Sequence, residues 1–209
     1  MQLKEDSRGV YVNELEEVYV ASEEEMLEYL QKGTQNRHIG STSMNERSSR
    51  SHSVCTIMIE RTAESAKGVA KINTSKFHLI DLAGSERQKL TGAYGDRLKE
   101  SSSINKSLSA IGNVINALVC NAEGKSNRFV PYRDTKLTYL LKDSLGGNSK
   151  TSIVANISPA ASSYGETLST LKFAQRAKLV RNRVFKNENL TGTNDQLRAE
   201  LNELKAILG

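Results

Sequence analysis

Cysteine, aromatic residues and long apolar runs are all scarce in this chain. Its 209 residues include 2 Cys, 4 Phe, 7 Tyr and no Trp. Cys55 and Cys120 sit in apolar contexts without metal-ligand spacing. That excludes a disulfide framework, and both read as small core residues in a reducing compartment. No apolar run approaches the ~18 residues of a membrane span, and Met1-Gln2-Leu3-Lys4-Glu5-Asp6 opens no signal peptide. The expectation is a chain that neither crosses a membrane nor is secreted. So few aromatics, with no RRM-, OB- or zinc-type pattern, leave no stacking platform for nucleic acid.

What is present suits one globular domain with a short appendage. Hydrophobic content is 37% and charged content 25%, polar for such a domain but above the disordered range. The net charge of +5 hides a split. Residues 1–60 carry 6 Lys+Arg against 11 Asp+Glu, net −5, whereas residues 87–150 carry 11 against 5, net +6. The central stretch is therefore suited to an acidic partner. Nucleic acid, an anionic membrane and an acidic protein surface share that sign, and charge alone does not choose between them.

The pattern of elements alternates strands with helices. Gly9-Val10-Tyr11-Val12 is a short strand. Ser22 and Glu25 form a capping box before Met26, Leu27 and Leu30, with Gly33 as the stop. Residues 53–60 alternate as a strand, 61–76 read as a hairpin connection, and Phe77-His78-Leu79-Ile80 is an apolar strand ending at Asp81. Ile104, Leu108, Ile111, Ile115, Leu118 and Val119 mark a long amphipathic helix over 104–120. A helix after Pro131 carries Leu137, Leu140, Leu141 and Leu145 and ends at Gly146-Gly147. Thr151–Ile157 is a strand, and Ser163 with Glu166 opens a helix through about Val180. This order predicts a three-layer α/β fold. Residues 184–194, with Asn187, Asn189, Gly192 and Asn194, read as a linker. Leu197, Leu201, Leu204 and Leu208 then repeat at 4, 3, 4, an a/d seam about two heptads long.

The chemistry concentrates in two stretches. Asn45-Glu46-Arg47-Ser48-Ser49-Arg50-Ser51-His52 packs hydroxyls, an amide and guanidinium groups ahead of a strand. Asp81-Leu82-Ala83-Gly84-Ser85-Glu86 follows the apolar strand. An acidic residue at a strand's C-terminal end is where nucleotide-hydrolysing α/β proteins hold magnesium, directly or through water. A glycine three residues on lets a backbone N–H approach a terminal phosphate. Either stretch alone is weak, since most DxxG sequences are turns.

Together they resemble the kinesin motor domain. The first stretch is similar to that family's switch I and the second to its switch II. Ile104–Gly112, Val130–Thr138, Asp143–Asn148 and Glu166–Ala177 resemble further family signatures in the family's order, so the likeness runs from about Leu3 to Arg183. Within the family, Glu86-Arg87-Gln88-Lys89, Ser149-Lys150-Thr151 and Asn187-Glu188 look most like the twelfth kinesin class of spindle and phragmoplast motors.

The resemblance implies a partial P-loop-NTPase-like motor fold over 1–183, a neck linker over 184–194 and the start of a neck coiled coil over 195–209. It implies ATP or ADP with magnesium as ligands of the complete motor. Asn45, Ser48 and Ser49 would line the phosphates, with Ser49 also at the metal. Asp81 would hold magnesium through water and Gly84 would sense the γ-phosphate. Arg50 would pair with Glu86 to position the attacking water, making Arg50, Glu86 and Ser49 the catalytic group. The implied partner is the microtubule, met by Arg87, Lys89, Lys106, Arg133 and Lys136. A homodimer through the coiled coil, a cytoskeletal location, and neither membrane nor nucleic acid complete the expectation.

One departure outweighs these matches. The family also needs a phosphate-binding loop, GxxxxGK[ST], and these 209 residues hold none. Gly124-Lys125-Ser126 comes nearest, but Val119 stands where the first glycine belongs. The resemblance then implies a chain that starts about halfway through a motor, without strands the family places between those of 77–81 and 151–157. Two readings stay open: the switch and tubulin-facing half of an ATPase motor, unable to hydrolyse ATP alone, or a naturally headless kinesin-like protein that binds microtubules without hydrolysis.

Overall fold

The computed structural model describes residues 1–6, 9–39, 51–64, 68–84, 96–124 and 127–208. It divides into two compact units, Met1–Ser51 with Leu82–Val184, and His52–Asp81 with Phe185–Gly209. Helices and sheets are mixed, in keeping with the expected α/β class. The described ladders are all antiparallel.

In the first unit, β1 (Leu3–Asp6) and β2 (Gly9–Val12) form a hairpin, followed by α1 (Glu23–Ile39). The Ser22 cap forms as expected: the Glu25 N–H donates to Ser22 Oγ at 3.2 Å. The return bond reaches one residue earlier, from the Ala21 N–H to Glu25 Oε2 at 2.9 Å. Gly33 does not stop α1, which runs on to Ile39. An exposed helical glycine costs about 1 kcal/mol against Ala, too little to end a helix without a left-handed cap.

The expected helix over 104–120 is longer, spanning Asp96–Ala122 as α2. The apolar spacing runs only over 104–120, and Arg97, Leu98, Lys99 and Glu100 extend the helix because they are good helix formers. After α2, Asn121 pins the returning chain twice, donating from Nδ2 to the Arg128 carbonyl at 2.8 Å and accepting the Arg128 N–H at 2.7 Å. A 3₁₀ turn, Tyr132–Asp134, leads into the short α3 (Lys136–Leu140). Thr135 caps α3 and Thr138 answers it in a Thr–Thr capping box. Thr138 is wholly buried, yet its hydroxyl donates to the Tyr132 carbonyl at 2.7 Å and receives the Thr135 N–H at 3.3 Å. That satisfies a group which would otherwise be costly to bury.

The core of this unit joins α2 to α3. Ala110, Ile111, Val114, Ile115 and Ala117 bury one stripe of α2, and Leu137, Leu141 and Leu145 are buried with them. Cys120 is half-buried at its margin, and Cys55 is likewise half-buried on a strand.

The helix expected to persist through Leu145 is only the single turn of α3, followed by further turns to Gly146-Gly147. Gly146 has φ +89 and so adopts a backbone few other residues accept. A Cβ on Gly147 would lie 2.8 Å from the Cα and carbonyl oxygen of Asp143. This turn is clamped by Asn182, whose Nδ2 donates to the carbonyls of Ser149 at 2.7 Å and Ser144 at 3.0 Å. Its Oδ1 accepts the Gly146 N–H at 2.8 Å. Gly147→Ala therefore forces backbone apart, an overpacking cost of about 1–3 kcal/mol. The expected result is faster protease cleavage within 144–151 than in Gly165→Ala, whose added Cβ meets nothing within 4 Å. Equal cleavage of the two variants would refute the account.

Two other expectations are corrected in this unit. Thr151–Ile157 is not a strand: it has no ladder partner among the described residues and lies exposed. Strand composition makes a strand only where a neighbouring edge supplies partners. α4 spans Tyr164–Ala177, short of Val180, and Ser163 makes no side-chain cap bond. A 3₁₀ turn, Ala161–Ser163, precedes it, so Ser163 (φ −98, ψ 9) lacks the extended backbone a cap requires.

In the second unit, β3 (Ser53–Glu64) pairs with β4 (Ala70–Asp81), from Ser53 against Asp81 to Glu64 against Ala70. The connection expected over 61–76 thus shrinks to a few residues. The arms extend because Thr62, Ile72 and Thr74 suit strands, and an exposed arm needs no apolar alternation. Within the segment read as a linker, β5 (Glu188–Thr191) pairs with β4 through Asn73 to Ala70. Lys71 Nζ meets Glu188 Oε1 at 2.6 Å beside that ladder. α5 (Asn194–Leu208) carries the leucine repeat. Thr193 and Gln196 cap it reciprocally, the Thr193 N–H to Gln196 Oε1 at 2.8 Å and the Gln196 N–H to Thr193 Oγ1 at 3.3 Å.

Candidate functional site

Most of the expected nucleotide-facing residues, Asn45, Ser48, Ser49, Arg50 and Glu86, lie outside the described residues, as do Arg87 and Lys89 at the expected microtubule face. The hairpin nonetheless fixes where the described ends of the two signature stretches join the sheet. Ser53, the first residue of β3, is the ladder partner of Asp81, the last of β4. The first stretch thus leads into the sheet at the end where the second leaves it. Both are fed by one antiparallel pair, a geometry that sequence distance alone does not reveal. Asp81 is exposed at that end, Ala83 is buried, and Gly84 is half-buried. Ser51, just ahead of β3, accepts Arg37 of α1, at 3.1 Å from Nε to Oγ and 2.6 Å from Nη2 to the carbonyl.

The donor chemistry here fits magnesium. A carboxylate at a strand end and serine hydroxyls are hard oxygen donors, the type this ion takes together with waters and substrate phosphates. No cluster of three or more His, Cys, Asp or Glu able to hold a metal occurs among the described residues.

The cationic residues on the first unit are better defined. Lys106 is exposed on α2; Arg133 is exposed in the 3₁₀ turn and Lys136 at the start of α3. The Thr135 cap keeps Arg133 and Lys136 on one continuous element. Arg133 is not an isolated charge. Its Nη2 lies 3.5 Å from Glu5 Oε2 and 3.4 Å from Tyr139 Oη, and its guanidinium is 5.2 Å from the centre of the Tyr139 ring. Tyr139 Oη donates to Glu5 Oε2 at 3.0 Å, and Lys142 Nζ donates to Glu5 Oε1. Lys142 first, then Tyr139, hold the Glu5 carboxyl below the ordinary glutamate range. Behind the turn, Tyr132 Oη donates to the Leu145 carbonyl at 2.6 Å, and burial, with the charge of Asp143, pushes its phenol up.

Sequence reasoning missed Glu5, Tyr139 and Lys142 here. Tyr139 and Lys142 share a helical spacing with Lys136, a signal that was present. Glu5 stands 128 residues from Arg133, and nothing local announces that pairing.

The decisive comparison is with families of known sequence. The family described as "Kinesin: Kinesin motor domain" matches residues 1–180. The chain belongs to the kinesin motor domain family. This kinesin chain is 55% identical over all 209 of its residues to Kinesin-like protein KIF15 of Strongylocentrotus purpuratus, of which it covers 14%. It is 52% identical over 206 residues, 98% of its length, to Kinesin-like protein KIN-12E of Oryza sativa subsp. japonica, of which it covers 11%. These names agree with the expected subclass.

Among solved structures it aligns with KIF14 residues 391–772, a dimer in the two-heads-bound state with AMP-PNP in complex with a microtubule. The TM-score is 0.79 at 44% identity, over 88% of this chain and 51% of that one. A fast kinesin, described for its ATPase mechanism and interactions with microtubules, aligns at TM-score 0.72 and 42% identity, over 92% and 53%. The kinesin chain thus spans about half of each solved motor and a small part of its curated relatives.

Proposed function

We propose that this chain is the switch and microtubule-contacting portion of a kinesin of the spindle type, an ATP-driven motor for microtubule-based movement. The observation that carries the reading is the family match over residues 1–180, which takes in both signature stretches and the basic segment that follows them. On this reading, residues 1–183 belong to the motor domain, 184–194 form the neck linker, and 195–209 begin a coiled coil through which two chains pair. The work is done in the cytoplasm, on the microtubule cytoskeleton.

In the complete motor, Asn45, Ser48 and Ser49 face the phosphates of ATP. Ser49, and Asp81 through water, hold magnesium, whose charge neutralises the phosphates when bound. Arg50 and Glu86 form the ion pair that orients the attacking water, and the Gly84 amide reads the terminal phosphate. Such chemistry rests on positioning and electrostatics. Because switch II leads toward α2, loss of that contact on hydrolysis would be felt by the microtubule face.

Tubulin's outer face is acidic, and Arg87, Lys89, Lys106, Arg133 and Lys136 give a clustered positive counterpart that steers at long range. Replacing Lys89, Arg133 and Lys136 together by Ala in a complete motor domain should weaken microtubule co-sedimentation about tenfold or more at low salt. The difference should shrink as salt screens it. Unaltered affinity across the salt series, with an unchanged thermal melt, would refute the assignment.

A further inference from the structure

The β1–β2 hairpin and the turn into α3 are far apart in sequence and meet at a single carboxylate. Glu5 takes the Tyr139 hydroxyl, the Lys142 ammonium and the Arg133 guanidinium together. Their exposures differ in a telling way: the Arg133 side chain is 74% exposed, whereas Glu5 is 29% exposed beneath it. The carboxylate sits low and the guanidinium stands out. The guanidinium carbon lies 5.2 Å from the centre of the Tyr139 ring, and Nη2 reaches both Glu5 Oε2 at 3.5 Å and Tyr139 Oη at 3.4 Å, three contacts that together restrict the rotamers open to Arg133.

We propose that Glu5 is a positioning residue for the microtubule contact, holding Arg133 against Tyr139 so that its planar fork meets an acidic partner already oriented. This rests on the reading of Arg133 as a contact residue. An unrestrained arginine has many rotamers and must lose them on binding, whereas a pre-set fork has lost them already.

The competing effect has the opposite sign. Glu5 is negative, and removing it makes the face more positive toward tubulin. Two observations decide against charge at physiological salt. Lys142 and Arg133 both face Glu5, so the cluster already keeps a net positive charge. An exposed charge is also screened beyond about 8 Å at physiological salt, while the loss of orientation acts at contact and is not screened.

The test is microtubule co-sedimentation of a complete motor domain at physiological salt, comparing Glu5→Gln, Arg133→Ala and the double variant. Glu5→Gln should weaken binding about three- to tenfold, the factor for one freed, rotamer-rich side chain, although it raises the net charge. In the Arg133→Ala background the same change should do nothing more. Tyr139→Phe, which keeps the ring but removes the hydroxyl, should weaken binding in the same direction and less, and it guards against misfolding of the Glu5 variant.

If Arg133→Ala weakens binding but Glu5→Gln tightens it or leaves it unchanged, the positioning role is overturned while the contact stands. If Glu5→Gln weakens binding equally with and without Arg133, Glu5 acts on the fold at large and the proposal fails. If Arg133→Ala has no effect, the contact reading itself falls, and this proposal with it.

Discussion

The 209-residue chain on its own should release no phosphate from ATP above a protein-free control, with or without microtubules. Phosphoryl transfer to water needs the β- and γ-phosphates held by a nest of N–H groups and a lysine before any switch residue can act. The structure removes the one nearby candidate. Gly124-Lys125-Ser126 follows α2, which spans Asp96–Ala122, and Val119 is inside that helix with its carbonyl taken by the Glu123 N–H at 3.0 Å. This is a helix C-terminus, where carbonyls and negative partial charge gather, the wrong end to receive phosphate. Phosphate release above the control would refute the expectation. With a kinesin front half supplied, Glu86→Ala and Arg50→Ala should each slow hydrolysis on the order of 10²–10³-fold and leave nucleotide binding largely intact. The two residues are assigned to orienting water rather than to gripping the nucleotide. A loss of binding equal to the loss of rate would move them into the phosphate site.

Local chemistry was legible where it was self-contained. Ser22 with Glu25 gave a true helix start because cap and responder are three residues apart and need nothing else. Ser163 with Glu166 has the same pattern and no cap bond, because a preceding 3₁₀ turn already sets the Ser163 backbone. Thr151–Ile157 has the composition of a strand, but a strand is a relation between two segments. The length of the β3–β4 hairpin was hidden by its polar arms, since apolar alternation reports burial and not pairing. The signature stretches were readable as motifs, and the Ser53–Asp81 register brings the points where they join the hairpin to one end of it. The Glu5 cluster was invisible, because long-range ion pairing leaves no periodicity in a sequence.

Expressed alone, the 209-residue chain should melt without a sharp cooperative transition and should aggregate, whereas the same residues joined to a kinesin front half should melt cooperatively without aggregation. The argument starts from one face of the β3–β4 hairpin. Cys55, Ile57 and Ile59 of β3 share that face with Leu79 and Phe77 of β4, by the register Cys55 with Leu79 and Ile57 with Phe77. Such a face is built to be covered, yet Phe77 is 54% and Leu79 46% exposed. In the other unit, Ile153, Val154 and Ile157 are exposed as well, Val154 at 86%. Covering a large apolar side chain is worth about 1.5–3 kcal/mol. Six or so left open forfeit on the order of 10 kcal/mol, which is the whole net stability of an ordinary domain. An uncovered apolar hairpin also offers strand edges to other copies. The decisive pair of variants is Phe77→Lys with Leu79→Lys. Together they should make the isolated chain more soluble, and, if the face is covered in the complete motor as argued, they should destroy its cooperative folding. A soluble monomer of the unmodified chain with a sharp melt, and low binding of a dye for apolar surface, would overturn this account.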